Sequence, residues 1–339
     1  MKAAVSFIAI FAGMMLLIPL IAMGGRQAAE PVAAAGQSTV GQAAASDAKT
    51  FRIIDSVTGK AENIDMADYV CGVVAHEEPA TFETEALKAQ AVAAFTFSIS
   101  RGYENKAVSS AGAAAVAADN VTLVSTAAKG CKIFISLDDS KATWGGTLDA
   151  GWEKIRDAVA SVADKIMVYD GKPIAAVFCS MSSGTTESSK DVWGTDLPYL
   201  TEVPSIGDTL VSSFESTVTL TQQNFRDTVT AKYPKASFSA PPSQWISSVS
   251  RSKAGGVITA SLCEVTLRGT DIRSLFGLRS TNFQLAYKNA AFTFTVKGYG
   301  HGVGLSQHGS DYLARQGETW DEILKWYYRG VQIVDYKWA

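Results

Sequence analysis

Histidine and cysteine are scarce in this chain of 339 residues, and their scarcity removes several chemistries at once. His76, His301 and His308 are the only histidines; none sits in an HExxH pattern and none has a cysteine at zinc spacing. No metal centre is expected from such spacings. Cys71, Cys131, Cys179 and Cys263 are far apart and form no CxxC. An exported domain of this size does not depend on disulfides, so mostly free, buried thiols are expected. No GxSxG precedes a helix and no Ser-His-Asp set stands out. No GxGxxG register fits the glycines, so a nucleotide cofactor is not expected and the cofactor reading is none. A net charge of −3, a pI of about 5.7 and the lack of a basic cluster give nucleic acid no electrostatic footing. Heptads and solenoid repeats are absent too.

What is present begins with an uncharged run from Ala3 to Met23. As a helix it spans about 31 Å, close to the thickness of a bilayer's hydrocarbon core. A secretory h-region is shorter, roughly 7–15 residues, so residues 1–25 read as a retained transmembrane signal-anchor. Cleavage near Ala22-Met23-Gly24 stays open as the alternative. Lys2 on one side and Arg26 on the other place the N-terminus inside. The chain then reads as a single-pass cell-membrane protein with residues 26–339 extracytoplasmic. Residues 26–50, rich in Ala, Gly, Ser and Gln, cannot bury a core and read as a flexible tether. Residues 51–339 are enough for one large domain or two small ones, and are read as one.

Segments 51–55 and 61–64 flank Thr58-Gly59-Lys60 and predict a hairpin. A helix over 65–78 follows and must stop before Pro79, because the residue before proline avoids the α region. On it Met66, Tyr69, Val70, Val73 and Val74 form one apolar stripe. Glu77 falls at the centre of that stripe and Glu78 about 100° away, at its edge. A carboxyl aimed into an apolar face loses hydration and its pKa rises, which makes a general acid usable near neutral pH. The alternative is a helix-end glutamate whose stem packs while its head reaches water.

A second helix should start near 81–84 and end at Arg101-Gly102. The Ala- and Ser-rich stretch 107–130 reads as a surface excursion. Strands are predicted at 133–136, 165–169, 174–178, 257–267 and 292–296, with a polar turn over 182–187. A helix should begin at Thr221, and a loop at Pro241-Pro242; residues 205–250 carry the weakest pattern. Helices over 311–316 and 320–328 close the chain, the last with Ile323, Leu324, Tyr327 and Tyr328 on one face. Strands and helices do not alternate regularly, so the fold class is α+β.

Between the last strand and those helices lies Gly298-Tyr299-Gly300-His301-Gly302-Val303-Gly304-Leu305-Ser306-Gln307-His308-Gly309. Alternate glycines let a backbone approach a bulky polar ligand closely. Beside Gly302, the side chains of His301, Ser306 and Gln307 offer donors and acceptors of the kind that sugar hydroxyls and N-acetyl groups use. The competing reading is a tight strand-to-helix turn with a satisfied core histidine.

Taken together, these segments resemble the stage II sporulation protein D family. The likeness is carried by residues 73–79 with 85–94, by Ser182-Ser183-Gly184, by Val192-Trp193-Gly194 with Pro198-Tyr199-Leu200, and by residues 278–283. The glycine block with residues 322–328 completes it, so that it runs in order over most of 51–335. The resemblance implies a peptidoglycan lytic transglycosylase acting during forespore engulfment, in the space between mother cell and forespore. Such an enzyme cuts glycan strands, preferably stripped of peptide, to 1,6-anhydro-N-acetylmuramic acid ends. It implies as partners a sporulation amidase and a small membrane scaffold protein. It places the catalytic carboxyl at Glu77, one group serving as acid and then base, where a glycoside hydrolase uses two. It also marks Lys88, Gln90, Ser182, Ser183 and Gly184 as glycan contacts beside those of the glycine block.

There are departures from the family pattern. Phe95-Thr96-Phe97 stands where Arg-Thr-Tyr is usual, which removes a positive charge expected near the cleft. Residues 137–144 lack the soft ligands that hold zinc in some members. Glu78 replaces a customary Met, and a second carboxylate should push the Glu77 pKa up further. The second reading is a non-catalytic glycan-binding activator of a cell-wall amidase, as amidase-enhancer relatives are thought to be.

Overall fold

The computed structural model describes residues 49–55, 61–109, 121–125 and 148–338. The expected anchor, nearly all of the tether, the strand at 133–136, Cys131 and residues 137–144 lie outside the described residues. The expected hairpin is present as β1 (Thr50–Asp55) and β2 (Ala61–Asp65), antiparallel with Phe51 opposite Ile64. Asp65 then caps α1 (Met66–Glu77), its Oδ1 accepting from the Ala67 N–H at 2.8 Å and the Asp68 N–H at 3.3 Å. All five stripe residues are buried, and Cys71, Gly72 and Ala75 are buried with them. The helix is therefore enclosed around most of its girth, more than an amphipathic stripe requires.

α2 (Thr84–Ser109) runs past the expected stop at Arg101-Gly102; one interior glycine costs a helix only about 1 kcal/mol. The expected excursion over 107–130 is corrected by β3 (Val121–Ser125), which pairs parallel to β1 with Val121 opposite Phe51. Its Val-Thr-Leu-Val sequence suits a pleated, half-buried strand, a signal hidden by Ala-rich flanks. After α3 (Leu148–Ser161) come β4 (Lys165–Tyr169) and β5 (Lys172–Pro173). The strand expected at 174–178 is reduced to β6 (Phe178–Cys179). Residues 174–177 instead turn on themselves, Ala176 N donating to Ile174 O at 2.9 Å and Val177 N to Ala175 O at 2.8 Å.

α4 (Ser189–Trp193), a 3-10 turn (Ile206–Leu210) and β7 (Glu215–Thr221) lead to α5 (Gln222–Lys232). The last begins where expected, with Thr221 Oγ1 accepting from the Asn224 N–H at 3.1 Å. The single strand expected over 257–267 is a hairpin. β8 (Ile246–Arg251) and β9 (Val257–Leu262) are followed by β10 (Val265–Arg268), and the chain reverses at Cys263-Glu264 with φ of 48° and 67°. That left-handed pair usually announces itself with Asn or Gly, and here it does not. α6 (Gly269–Phe276), β11 (Phe283–Lys288), β12 (Ala291–Lys297) and β13 (Leu305–Ser306) follow. α7 (Gln307–Arg315), α8 (Trp320–Tyr327) and β14 (Gln332–Asp335) end the described chain. α7 starts four residues earlier than predicted, because Ser306 caps it from inside the glycine block.

This mixed architecture of helices and small sheets has two cores. In the first, α2 is central, with α1, α3, α7, α8 and β4 packed around it. Ala86, Ala89, Ala91, Ala93 and Ala94 are all buried on α2, and such small side chains let neighbouring elements come close. Ile323, Leu324, Tyr327 and Tyr328 of the α8 region are buried against it, as predicted from their spacing. The second core lies among β7–β12, α5 and α6, where Phe225 stacks on Phe276 at 4.8 Å and on Phe292 at 4.1 Å. Among the described residues no helix is long and apolar enough to cross a membrane.

β13 pairs parallel to β6, Leu305 opposite Phe178 and Ser306 opposite Cys179. Two glycines of the block, Gly298 and Gly304, face the protein's own backbone, while Gly302 and Gly309 face side chains. A Cβ on Gly298 would lie 2.6 Å from Ser182 O, and one on Gly304, at φ +75°, would strike Val177 O. Gly304→Ala is therefore expected to lower stability by more than the roughly 1–3 kcal/mol of a strained left-handed residue. Urea unfolding of the two proteins, compared by their midpoints, measures it; equal midpoints would refute the close approach.

Candidate active site

Glu77 is the last helical residue of α1 and is half-buried. Its Oε2 accepts from Gln307 Nε2 at 3.3 Å, an amide on the first residue of α7. Loss of water around the carboxyl raises its pKa to about 7, while the Gln307 amide pulls the other way. The group is thus poised between acid and base near neutrality. Glu78, placed at the edge of the stripe by the helical count, is in fact the more buried of the two, at 2% exposure. The reason is local: Glu78 has left the helix, with φ −128° and ψ 140°, so the 100° step no longer applies. Neither of its oxygens has a hydrogen-bond partner. Burial first, then Asp311 and Glu77, push its pKa well above the usual carboxylate range. The expectation that Glu78 would raise Glu77 is corrected accordingly. Burial raises Glu77, and Glu78 is not among the influences that do so.

The Glu77-Glu78-Pro79 corner is held from two sides. On one, Lys154 of α3 donates to the Ala80 carbonyl at 3.1 Å and also to that of Phe82. On the other, Asp311 of α7 accepts from Glu83 N at 2.8 Å and pairs with Arg315 at 2.8 Å. The Phe82 and His308 rings meet edge-on at 5.2 Å. The acid therefore sits where the end of α1, the start of α2 and the start of α7 converge.

The other residues singled out from sequence are placed differently. Lys88 Nζ donates to Glu85 Oε1 at 2.7 Å, and Glu85 Oε2 in turn accepts from Trp320 N at 2.9 Å, at the start of α8. Gln90 is fully buried, with neither end of its amide partnered. Ser182 is buried, and its N–H and hydroxyl both donate to Asp208 Oδ2, at 2.8 and 2.6 Å. Ser306 donates its hydroxyl to Asp208 Oδ1 at 2.7 Å and caps α7 by accepting from Gly309 N at 3.3 Å. Gly302 is interior, its carbonyl accepting from Glu187 N at 2.7 Å. His301 is buried against Trp193 at 5.2 Å, with Nδ1 accepting from Val303 N at 3.1 Å. Burial, then the Arg273 charge, lower its pKa to about 3, so it stays neutral. Ser183 and Gly184 are half-exposed, Ser183 donating to the Ala254 carbonyl at 3.1 Å.

Asp208 is the residue that sequence reasoning missed. It lies in the weakly patterned 205–250 stretch, and no motif marks it; its partners come from segments far away in the chain. The departure at residue 95 also reads differently in three dimensions. Phe95 is buried among Phe51, Tyr336 and Trp338, so this position belongs to the core and not to a cleft wall. Among the described residues no group of three or more His, Cys, Asp or Glu could hold a metal ion.

A family model described as stage II sporulation protein matches residues 55–169. Over 273 residues the chain is 37% identical to stage II sporulation protein D of Bacillus subtilis (strain 168), covering 80% of this chain and 75% of that one. Its similarity to the protein of the same description from Bacillus amyloliquefaciens is 36% over the same shares. It is also 27% identical over 317 residues to the amidase enhancer of Bacillus subtilis (strain 168), covering 78% of this chain and 40% of that one.

The raised acid carries a stability cost with a definite sign. Between about 4.5, the ordinary value, and about 7 the folded chain holds a proton on Glu77 that the unfolded chain has released. Stability from this group therefore falls as pH rises through that window and is fully lost above it. Glu77→Gln is expected to be more stable than the parent at pH 8, by at most about 3 kcal/mol, with the gap closing below pH 4. Denaturant melts at the two pH values test this, and a constant gap would contradict it.

Proposed function

The chain belongs to the stage II sporulation protein D family, and from that premise we propose that it is a membrane-anchored lytic transglycosylase of peptidoglycan. The observation that carries the reading is Glu77: a half-buried residue whose desolvated carboxyl has a pKa of about 7, where three helix ends meet. Protonated Glu77 delivers its proton to the glycosidic oxygen beside N-acetylmuramic acid as the C1–O bond breaks. The resulting carboxylate takes the proton of that sugar's own 6-hydroxyl, whose oxygen closes on C1 as a 1,6-anhydro ring. Glu77 ends the cycle protonated, and neither water nor a cofactor is consumed. The Gln307 amide, donating to Oε2, steadies the carboxylate between the two steps. Glu78 takes no part in the transfer, since its burial keeps it from the sugar.

In this proposal the N-terminal segment 1–25 anchors the chain, and residues 26–339 work outside the cytoplasm, between mother cell and forespore. The substrate is glycan strands already stripped of peptide by a sporulation amidase, with a small membrane protein as scaffold. Lys88, Ser183 and Gly184 keep some access to solvent and are the proposed glycan contacts. Ser182, His301, Gly302 and Ser306 act from the interior by fixing the backbone, and Gln90 lies buried on α2 away from solvent. The similarity to an amidase enhancer supports a second reading, a glycan-binding activator of an amidase that does not itself cut.

Mass spectrometry of peptide-free glycan strands incubated with the full-length chain separates the two. Anhydro-ended fragments are expected from the parent, with Glu77→Gln slower by about 10²–10⁴-fold and binding retained. Cleavage at the parent rate by Glu77→Gln would remove Glu77 from the mechanism. Intact strands from both, with binding and a faster partner amidase, would establish the second reading.

A further inference from the structure

We infer that Asp208 is a positioning residue for Glu77, setting the start of α7 and so the aim of the Gln307 amide. This deepens the proposed function and rests on Glu77 being the acid. Asp208 is fully buried in the 3-10 turn, and the donors that reach its carboxylate, from Ser182 and Ser306 with the Ser205 hydroxyl beside them, are all neutral. Oδ2 is occupied by the N–H and hydroxyl of Ser182. Oδ1 takes the hydroxyl proton of Ser306. With its proton fixed on Asp208, the Ser306 oxygen can only accept, and it accepts from Gly309 N, the bond that caps α7. Gln307 is the next residue, buried, and its Nε2 meets Glu77 Oε2. Ser205, whose side chain also reaches Asp208, ties the turn to α8 through an Oγ 2.7 Å from the Tyr327 hydroxyl. One carboxylate therefore fixes the proton direction of one hydroxyl, that hydroxyl fixes one helix start, and the helix start fixes one amide.

Aspartate is needed here for its two acceptor oxygens. Asparagine has the same shape but one acceptor and an NH₂. The backbone N–H of Ser182 cannot reverse its polarity, so the amide oxygen of an asparagine would stay on that side. Its NH₂ would then face Ser306 and compete with Gly309 for the oxygen. Asp208→Asn is thus a change of bond direction with little change of volume. Ionisable groups on the elements around this corner include His76, Glu78, Glu83, Lys154, His308, Asp311, Arg315 and the Glu85–Lys88 pair, all of which the substitution leaves in place, while Cys179 and Tyr327 lose the Asp208 charge they face.

The test follows the Glu77 carboxyl by ¹³C NMR in the full-length chain, labelled at glutamate and titrated without substrate. Losing a donor to the carboxylate raises its pKa. Asp208→Asn and Gln307→Leu should each move the Glu77 midpoint upward from about 7, and the double variant no further than the larger single shift. With glycan, kcat should fall on the order of 10–100-fold while KM holds within about twofold. Should Asp208→Asn not fold, Ser306→Ala breaks the same link and must shift the midpoint in the same direction. A midpoint unchanged in a folded but less stable Asp208→Asn would make the residue merely structural and overturn the inference, as would additive shifts. Because the titration uses no substrate, a chain that cuts no glycan but shows these shifts keeps the inference and loses the activity. A chain that cuts glycan with unshifted midpoints does the reverse.

Discussion

Three stretches of chain that are remote in sequence meet at the buried carboxylate of Asp208, and the geometry of the site follows from how it is satisfied. Removing a carboxylate from water is costly unless its lone pairs are filled. Here burial raises the Asp208 pKa, and the hydroxyls of Ser182 and Ser306 lead the groups that lower it. A network of this kind is favourable only when complete, since any member left unpaired pays the full desolvation penalty. That demand compensates for weak pairing nearby. β6 and β13 are two residues each, too short for ladder bonds alone to hold them in register. The carboxylate ties the continuation of both strands to one point.

The two adjacent glutamates show how finely environment separates like groups. Glu77 ends a helix, where the carbonyl end of the α1 dipole disfavours negative charge, and it faces the amino end of α7, which favours it. Those influences oppose each other, and loss of water around the carboxyl, offset in part by the Gln307 amide, brings the group to about 7. Glu78, one residue on, has turned inward toward Asp311 and has neither water nor a donor. Two carboxyls in succession thus divide into one brought to about 7 beside a donor and one, deeper and without a donor, pushed well above the usual carboxylate range. The division arises from a single change of backbone conformation between them.

Elements of both cores were legible where their contacts are local. The β1–β2 hairpin, the end of α1 before Pro79, the Thr221 cap of α5 and the buried face of α8 all rest on contacts within a few residues. Local patterns report such contacts directly. The site was legible only in part. Glu77 could be singled out because its stripe and its proline are neighbours in sequence. Its partner Gln307 lies 230 residues away, and Asp208 is 98 residues from Ser306. No periodicity encodes such pairs. Glu78 was misplaced because a helical wheel assumes that the helix continues, and the same proline that marked the stop also rotated the next side chain. The hairpin turn at Cys263-Glu264 was invisible because neither residue prefers the left-handed region it occupies.

The glycine block also bears on how such chains are recognised. Gly298 and Gly304 hold their places because backbone lies where a side chain would begin. That requirement belongs to folding, and it would persist in a descendant whose acid had been lost. A stretch of this kind gathers active enzymes and pseudoenzymes under one signature without distinguishing them. Under the proposed function, sorting one from the other falls to position 77, at the end of a different helix.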